Sequence, residues 1–199
     1  MDFEDAIRHR RMVRNFDPAP VAVDVVDRLI DLARRSPSAG FSQGVDFVVL
    51  QGPDETSRFW SVPSLHAYWE REFPGVVRAP VIVLPLADAG AYLRRYSEPD
   101  KAPAGLKEAA SWPVPYWLTD TAMATMTLLL AAVDAGLAAL FFGLFRGTDA
   151  DLLERLGVPE GHELIGAVAI GRPADDERTG SAVTRPRRPL SEVIHRGGW

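Results

Sequence analysis

Residues 33–50 read "ARRSPSAGFSQGVDFVVL" and pass from the end of one regular element, through a loop, into another. The stretch follows an amphipathic pattern whose apolar residues recur at helical spacing, at Val25, Val26, Leu29, Ile30 and Ala33. Asp24 is the expected N-cap of this helix, which ends before Pro37. Serine, glycine and proline then mark a loop, and the apolar run 45–51 predicts a strand. The stretch therefore predicts helix, loop and strand in succession.

Similar patterns extend this prediction in both directions along the chain. A short helix is expected from Asp2 to about Arg8, and "FDPAPV" breaks the chain after it. The remaining predicted elements are a polar, aromatic-rich helix at 54–72, a buried helix at 119–135, a helix opened by Thr148 or Asp149, and strands at 79–87, 137–143 and 162–171. Pro85 indicates that the strand at 79–87 lies at a sheet edge or ends early.

These elements mix without strict βαβ alternation, which favours an α+β fold over a doubly wound one. The 199 residues form one domain, 1–199, without an internal repeat. Residues 88–117 hold four prolines and five aromatic residues without clear periodicity, as expected of a lid or substrate-facing excursion. The tail 172–199 is too polar to fold alone and is expected to pack on another surface, such as a second subunit.

Composition excludes several classes of protein. A net charge of −5 argues against a general nucleic-acid binder, and the absence of cysteine excludes disulfides, thiolate catalysis and cysteine metal sites. The N-terminus lacks the apolar region of a signal peptide. The apolar stretch 118–145 is interrupted by Asp120, Asp134 and four threonines, so we expect a helix buried in protein rather than a membrane span. The cytoplasm is the expected location.

Two clusters of arginine stand out in this acidic chain. Residues 8–16, "RHRRMVRNF", hold four arginines and no carboxylate, and Arg10, Arg11 and Arg14 lie within five residues. Residues 184–195, "TRPRRPLSEVIH", hold a second set. Guanidinium groups suit phosphate because their donors form a planar fork and their charge does not titrate away. From the residues alone, a solvated helix end and an anion site remain equally open.

Motifs for other chemistries have little support. "GFSQG" at 40–44 matches the G-x-S-x-G nucleophile elbow, but a helix precedes it and a strand follows, which is the reverse of the required order. The four histidines are isolated, so no metal site is expected. No P-loop motif occurs, and no glycine-rich dinucleotide motif follows a strand.

Four segments together resemble the nitroreductase family of FMN-dependent oxidoreductases. They are "IRHRRMVRNF", "ARRSPSAGFSQGVDFVVL", "VDAGLAALFFG" and the ending "IGRP…RPRRPLSEVIH". They occur in the family's order and span nearly the whole chain. The resemblance implies a central, mostly antiparallel sheet flanked by helices, an intertwined homodimer, and two FMN sites at the subunit interface with NAD(P)H as co-substrate. It implies no catalytic side chain, because the flavin performs the chemistry.

The resemblance also assigns cofactor contacts residue by residue. The contacts to the phosphate, ribityl chain and pyrimidine edge are Arg10, Arg11 and Arg14, and the C-terminal phosphate contacts are Arg187 and Arg188. The loop from the partner subunit contributes Pro37, Ser38 and Ala39. The contacts at the flavin N5/O4 edge are Gly143 and Leu144. Arg8 is expected to face solvent. Met12 replaces the family's usual serine, so only its backbone is expected to contribute. Gln43 keeps the family's glutamine in the loop.

The loop departs from the family pattern at Phe41, where the family has an asparagine that hydrogen-bonds the flavin edge. Phe41 cannot make that bond, but it can form an aromatic wall of the substrate pocket. Further candidates for substrate contact are Tyr92, Tyr96, Trp112, Tyr116 and Trp117, although aromatic residues pack more often than they bind ligands.

Three functions remain open at this stage. The first is an FMN-dependent NAD(P)H oxidoreductase that reduces a small planar acceptor, such as a nitroaromatic or a quinone. The second is a flavin-binding protein without turnover, and the third is a flavin-dependent dehydrogenase of a specialised natural product. A fold hosts many functions, so the resemblance alone does not choose among them.

Overall fold

The chain folds into a central β-sheet with helices on both faces. Its computed structural model describes residues 1–145, 147–174 and 184–199. The described strands are β1 (Phe16–Asp17), β2 (Val45–Gln51), β3 (Val81–Asp88), β4 (Ala138–Phe142), β5 (His162–Leu164) and β6 (Ala167–Pro173). The described helices are α1 (Phe3–His9), α2 (Val23–Ala33), α3 (Pro53–Trp60), α4 (Pro63–Glu72), α5 (Pro74–Val77), α6 (Ala89–Arg95), α7 (Tyr116–Asp134) and α8 (Thr148–Arg155). Each strand pair in this part of the chain is antiparallel, which confirms the α+β prediction.

β3 is the central strand of the sheet, so the prediction that Pro85 marks an edge or an early end is wrong. β2 pairs along one side of β3, while β6 and β5 pair with the other side at 81–83 and 86–88. Between them, the Ile165 amide donates to the Pro85 carbonyl oxygen at 3.5 Å. Because the N–H and C=O of a strand residue point to the same side, the N–H that proline lacks faces this interruption of the ladder. The strand predicted at 162–171 is accordingly split at Ile165 and Gly166.

The strands alternate their side chains between two apolar layers. Ile82 and Leu84 of β3 pack against α3, α4 and α5, whereas Val81 and Val83 face α2 and α7. β3 is buried from Val81 to Ala87, since helices cover both faces of the sheet. This double cover leaves the loops at the strand ends as the exposed part of the framework.

Two helix predictions need correction. Asp24 is not the N-cap of α2, because the helix starts at Val23 after Ala22 and Asp24 lies in its first turn. There it still complements the positive end of the helix dipole. The single helix predicted at 54–72 is divided into α3 and α4, since Pro63 occupies the first turn of a new helix and provides no N–H to continue the preceding one.

α7 is long and apolar enough to cross a membrane by length and composition alone, with a mean hydropathy of 1.2. However, 56 % of that window is buried within the fold, and the core helix of a soluble protein passes the same test. The helix starts at Tyr116, three residues before the predicted position, and leads into β4. Its packing on β3 and α2 agrees with the expectation of a helix buried in protein.

The excursion 88–117 contains α6 and two single 3₁₀ turns, at Ala102–Ala104 and Ala109–Ser111. It has its own apolar cluster, formed by Ala87, Tyr92, Trp112 and Trp117. The excursion therefore packs against the end of β3 and the start of α7. Its role as a lid stays a prediction.

Candidate functional site

The arginine segment runs beside β4, which ends at Phe142, just before Gly143. Asp2 caps α1 by accepting from the amides of Glu4 and Asp5, and the helix ends at Arg10. The chain then lies parallel to β4, where Met12 bridges Ala139 and the Val13 amide donates to the Ala139 carbonyl at 3.1 Å. The backbone of the segment is therefore held by the sheet.

Met12 directs its side chain into the protein. Its Sδ accepts a hydrogen bond from the Phe141 amide at 3.4 Å, and its side chain contacts both apolar layers of the sheet. Met12 is consequently a packing residue that also satisfies a backbone donor of β4. This placement agrees with the expectation that its side chain makes no polar contact to a cofactor.

Three of the four clustered arginines have no carboxylate partner among the described residues. Arg8 pairs with Glu4 at 3.0 Å on the exposed face of α1, as expected of a residue left to solvent. Arg10, Arg11 and Arg14 form no such pair in the described parts of the chain. Their charges therefore remain available to an anion.

Arg14 lies against the C-terminal end of α4. Its guanidinium carbon is 5.3 Å from the centroid of the Phe73 ring, and its Nη1 donates to the Met12 carbonyl at 3.3 Å. Phe73 in turn packs on Trp69, whose ring centroid is 4.7 Å from that of Phe142. Arg14 and the end of β4 thus share one aromatic surface.

The turn after β4 borders a cavity of about 250 Å³. Gly143, Leu144 and Phe145 form one wall, and Ile165 and Gly166, at the break between β5 and β6, form another. A Cβ built on Gly166 would lie 2.6 Å from the Phe141 ring, and its φ of 148° disfavours any other residue. The cavity therefore depends on glycine at this position.

The loop 37–44 adopts an uncommon backbone conformation. Gly40, Phe41 and Gln43 have φ values of 62°, 57° and 53°, in the left-handed region that glycine tolerates but phenylalanine and glutamine adopt at a cost of about 1 kcal/mol each. Ser38 stabilises the loop because its Oγ accepts from the Gln43 amide at 2.9 Å. Phe41 remains 73 % exposed.

Buried polar groups of α6 and α7 anchor this loop. Asp120, only 3 % exposed, accepts through Oδ2 from the Ala39 amide at 2.8 Å and from the Tyr92 hydroxyl at 2.7 Å. Burial, followed by the hydrogen bond to Asp120, raises the pKa of Tyr92, which therefore stays a neutral donor. Arg95 donates through Nε to the Gly40 carbonyl at 2.9 Å.

Asp120 is not among the site residues predicted from the sequence. In the sequence, this aspartate stands out only as an interruption of an apolar helix. The signal that would have found it is a carboxylate within a helix that is otherwise buried, since such a group needs hydrogen-bond donors.

The aromatic substrate candidates fall into two groups. Tyr92, Trp112 and Trp117 are 0 %, 8 % and 7 % exposed and form the apolar cluster of the excursion. The indole nitrogens of the two tryptophans donate to the Leu106 carbonyl and to Glu163. Burial leaves Tyr92 no surface for a substrate in this chain, because its hydroxyl is also bonded to Asp120. Tyr116 is 39 % exposed and Tyr96 is partly buried.

The C-terminal arginines lie on an exposed tail. Arg187 is exposed, and Arg188 pairs with Glu192 at 3.4 Å within the tail. Every described residue from 184 to 199 is exposed, whereas part of the predicted tail, 175–183, lies outside the described residues. A single chain does not bring these arginines to the other candidates.

Hydrolase and metal chemistry gain no support from the geometry. Ser42 donates its Oγ proton to the Ala39 carbonyl at 2.6 Å, within its own turn. No group of three or more histidines and carboxylates suited to a metal ion occurs in the described residues.

Comparison with known protein families identifies the family of this chain. The model of the nitroreductase family matches residues 7–172. The chain belongs to the nitroreductase family. The match includes the arginine segment, the loop 37–44 and the turn at Gly143, and it ends before Arg187. The resemblance inferred from the sequence motifs is confirmed.

Relatives and solved structures of the nitroreductase family extend this finding. A putative NADH dehydrogenase/NAD(P)H nitroreductase of Methanothermobacter thermautotrophicus is 26 % identical over 90 % of this chain and 81 % of its own length. An FMN reductase (NAD(P)H) of Bacillus subtilis is 24 % identical over 96 % of this chain and 71 % of its own. The structure of B. megaterium NfrA2 matches with a TM-score of 0.77 and 21 % identity, over 98 % of this chain and 74 % of that one.

A putative nitroreductase of Desulfovibrio desulfuricans, solved in complex with FMN, has a TM-score of 0.70 and 23 % identity to this chain. The match covers 98 % of this chain and 96 % of that one. Together with NfrA2 it shows that this chain has the nitroreductase fold.

Proposed function

We propose that this nitroreductase-family chain is an FMN-dependent NAD(P)H oxidoreductase that reduces a small planar acceptor, such as a nitroaromatic or a quinone. The observation that carries the proposal is the set of three arginines, Arg10, Arg11 and Arg14, that have no carboxylate partner in the described chain and lie along the strand leading to Gly143. The names of the relatives, NAD(P)H nitroreductase and FMN reductase, support the same chemistry.

The residues present fit FMN by their chemistry. The phosphate of FMN carries nearly two negative charges, which unpaired guanidinium groups neutralise. When bound, FMN supplies the hydride acceptor and donor at its N5 atom. In the proposed site Arg10, Arg11 and Arg14 hold the phosphate, ribityl chain and pyrimidine edge. A guanidinium near the pyrimidine also favours the reduced, anionic flavin.

Backbone groups complete the proposed contacts. The amides of the turn at Gly143 and Leu144 border the cavity and would face the flavin edge. The loop residues Pro37, Ser38, Ala39 and Gln43 would contribute from the partner subunit, with Arg187 and Arg188 at the phosphate. The chain supplies no general acid or base in this scheme. Its part is to position the reactants and to provide the electrostatic environment.

The proposal includes a homodimer with an FMN site at each subunit boundary. Two observations support it. The hydrogen bonds that join the loop 37–44 to other elements go to β3, α6 and α7 and not to the arginine segment, so the loop can face a partner's site. α7 also exposes Met123 and Met126, which are 42 % and 40 % exposed and are available for burial.

The acceptor would meet Phe41 first. Its ring is the single aromatic side chain of the loop 37–44 and is largely exposed, and Tyr116 and Tyr96 are the remaining candidates with accessible surface. Trp112 and Trp117 would act through packing. A cytoplasmic location stays a prediction.

One observation favours a second candidate function, flavin storage. Phe41 offers the flavin edge no side-chain hydrogen bond, so the chain would hold flavin without efficient turnover if that bond were essential. A flavin-storage protein would be yellow but would resist reduction by either nicotinamide.

Anaerobic titration separates the two functions. We expect the purified protein to show a flavin absorbance spectrum, to bleach with NADH or NADPH, and to regain its colour with menadione. A yellow protein that neither nicotinamide bleaches would refute the reductase proposal and favour storage, and a colourless protein that binds no added FMN would refute both.

A further inference from the structure

The loop 37–44 presents a large aromatic side chain on a constrained frame. Phe41 is 73 % exposed although its backbone has a φ of 57°. Such a conformation persists in a non-glycine residue only where the surroundings enforce it. An exposed ring gains nothing from packing in its own chain, so its enforced position needs another explanation.

Asp120 is the buried end of this frame. The carboxylate is 3 % exposed and forms no ion pair within the described part of the chain. Its charge is satisfied by donors instead, namely the Ala39 amide and the Tyr92 hydroxyl, which both donate to Oδ2. Hydrogen bonds to a charged acceptor are stronger than those between neutral groups, so the buried Asp120 carboxylate fixes the loop strongly.

Further contacts fix the residues on either side of Ala39. Arg95 holds the Gly40 carbonyl, and a Cβ added to Gly40 would lie 2.7 Å from the Tyr96 ring, so this backbone packs directly on α6. The Gln43 amide is held by Ser38. The Ser42 amide, in the peptide after Phe41, donates to the Ala39 carbonyl at 3.1 Å. The peptide units before and after Phe41 are therefore both held, while the ring itself is not covered.

We propose that Asp120 is a positioning residue which, through Ala39 and Tyr92, holds the Phe41 ring as a wall that selects acceptors by size. The selection of acceptors rests on the proposed function, whereas the positioning of the loop does not. A fixed ring admits a one-ring acceptor and hinders a two-ring one. A loop released from Asp120 lets the ring move aside and loses this discrimination.

Hydrogen exchange of the cofactor-free protein tests the positioning itself. We expect Asp120→Ala to speed amide exchange across residues 38–43 by at least about tenfold, because the loop loses its anchor. Asp120→Asn keeps an acceptor of the same shape and should restore part of the protection. Asp134→Ala, an exposed position of the same helix, is the control and should leave the loop unchanged.

Unchanged exchange at 38–43 in both Asp120 variants would overturn the proposal. Where Asp120→Ala does not fold, Tyr92→Phe provides the same test, since it removes one donor and keeps the ring. It should speed exchange at the same residues to a smaller extent.

The acceptor selectivity of the FMN-bound enzyme tests whether the Phe41 ring selects acceptors by size. The measured quantity is the ratio of kcat/KM for benzoquinone to kcat/KM for menadione. We expect Phe41→Ala to lower this ratio by about fivefold, within the range that pocket shape supplies, and Asp120→Asn to lower it by about threefold. In the Phe41→Ala background, Asp120→Asn should then change the ratio little, since both act through one ring.

Effects that multiply fully in the double variant would overturn the proposal, because a general structural role produces that result. Failure of the proposed function is distinct from this outcome. It would appear as a wild-type protein that neither nicotinamide reduces, and hydrogen exchange would still decide whether Asp120 positions the loop.

Discussion

Met12 departs from the family pattern, and its contacts within the sheet explain why this residue suits the position. The family's usual serine would present a hydroxyl, whereas the Met12 sulfur accepts from the Phe141 amide and fills space between the two apolar layers. The backbone of the segment still follows β4. The substitution therefore belongs to the packing of the sheet.

Met12→Ser tests this assignment. We expect it to lower the free energy of unfolding by about 2 kcal/mol, since it removes a partly buried side chain and leaves a cavity. It should not tighten FMN binding. Urea unfolding and FMN titration measure the two effects, with Val23→Ser, at an exposed position of α2, as the control that should change stability little. Tighter FMN binding by Met12→Ser would contradict the assignment.

The arginine segment gives a second prediction for single residues. Arg10→Ala and Arg14→Ala should each raise the dissociation constant of FMN at least tenfold, because a hydrogen bond to a charged group contributes about 1.5–3 kcal/mol. Arg8→Ala is the matched control, since Arg8 pairs with Glu4 on the exposed face of α1. Fluorescence titration with FMN measures the constants. If Arg10→Ala and Arg14→Ala purify with full flavin, the assignment is wrong.

The sequence indicates the charged half of the candidate site but not the groups that support it. Clustered arginines without carboxylates are visible as a pattern. Asp120 and Tyr92 are not, because the contact between them joins residues far apart in the chain. Tyr92 illustrates the difference: an aromatic residue in an irregular segment suggests a ligand contact, and burial makes it part of a cluster.

α6 and the turn after it form a clamp on the loop 37–44. Arg95 is shared between the Gly40 carbonyl and the carboxylates of Glu98 and Asp100, both within 2.8 Å. The hydrogen bond from Arg95 lowers the pKa of Asp100 to about 2. The clamp is therefore assembled while Asp100 is ionised.

This clamp makes stability depend on pH in acid. Because the pKa of Asp100 is lower in the folded state, its contribution is present above its ordinary value near 3.8 and is lost as the pH falls towards about 2. Asp100→Asn should therefore lower Tm at pH 6, and the difference from wild type should vanish at the acid end of this window. Thermal unfolding between pH 2 and 6 measures it.

Glu160→Gln, on an exposed turn before β5, is the control and should change Tm little throughout. A deficit in Asp100→Asn that stayed constant across the window would show that its charge does not hold the clamp.

Strands proved more predictable than their surroundings. The apolar run at 45–51 corresponds to β2, and the run at 137–143 contains β4, because short apolar runs bounded by glycine or proline have few alternatives. The break at Ile165 could not be foreseen, since "HELIGAVAIG" has the pattern of one strand. It follows from Pro85 in the neighbouring strand, and a contact between strands is invisible to local pattern.

The described part of the C-terminal tail, 184–199, exposes several large apolar side chains. Leu190, Val193 and Trp199 are 70 %, 51 % and 101 % exposed, and the Trp199 ring stacks on His195 at 3.9 Å. A tail of this composition has no core of its own to enter. Packing on a second subunit, as the sequence suggests, stays a prediction.

Truncation after Pro189 tests the role of the tail and keeps Arg187 and Arg188. In the proposed homodimer the tail adds apolar area to the interface, so we expect the shortened chain to dissociate at micromolar concentrations at which the full chain stays dimeric. Analytical ultracentrifugation across a concentration series measures this. Arg196→Ala, which alters the tail without removing apolar surface, is the control, and an unchanged dimer after truncation would refute the role.

Pro85 links the geometry of the sheet to the cavity beside Gly143. The proline leaves the ladder short of one donor, the opposite strand breaks there, and the residues released by the break line the cavity beside Gly143. An ordinary residue at 85 would restore the N–H and allow the ladder to close across Ile165 and Gly166. We therefore expect Pro85 and Gly166 to covary among relatives, so that a chain which loses the proline also loses the glycine and this part of the cavity.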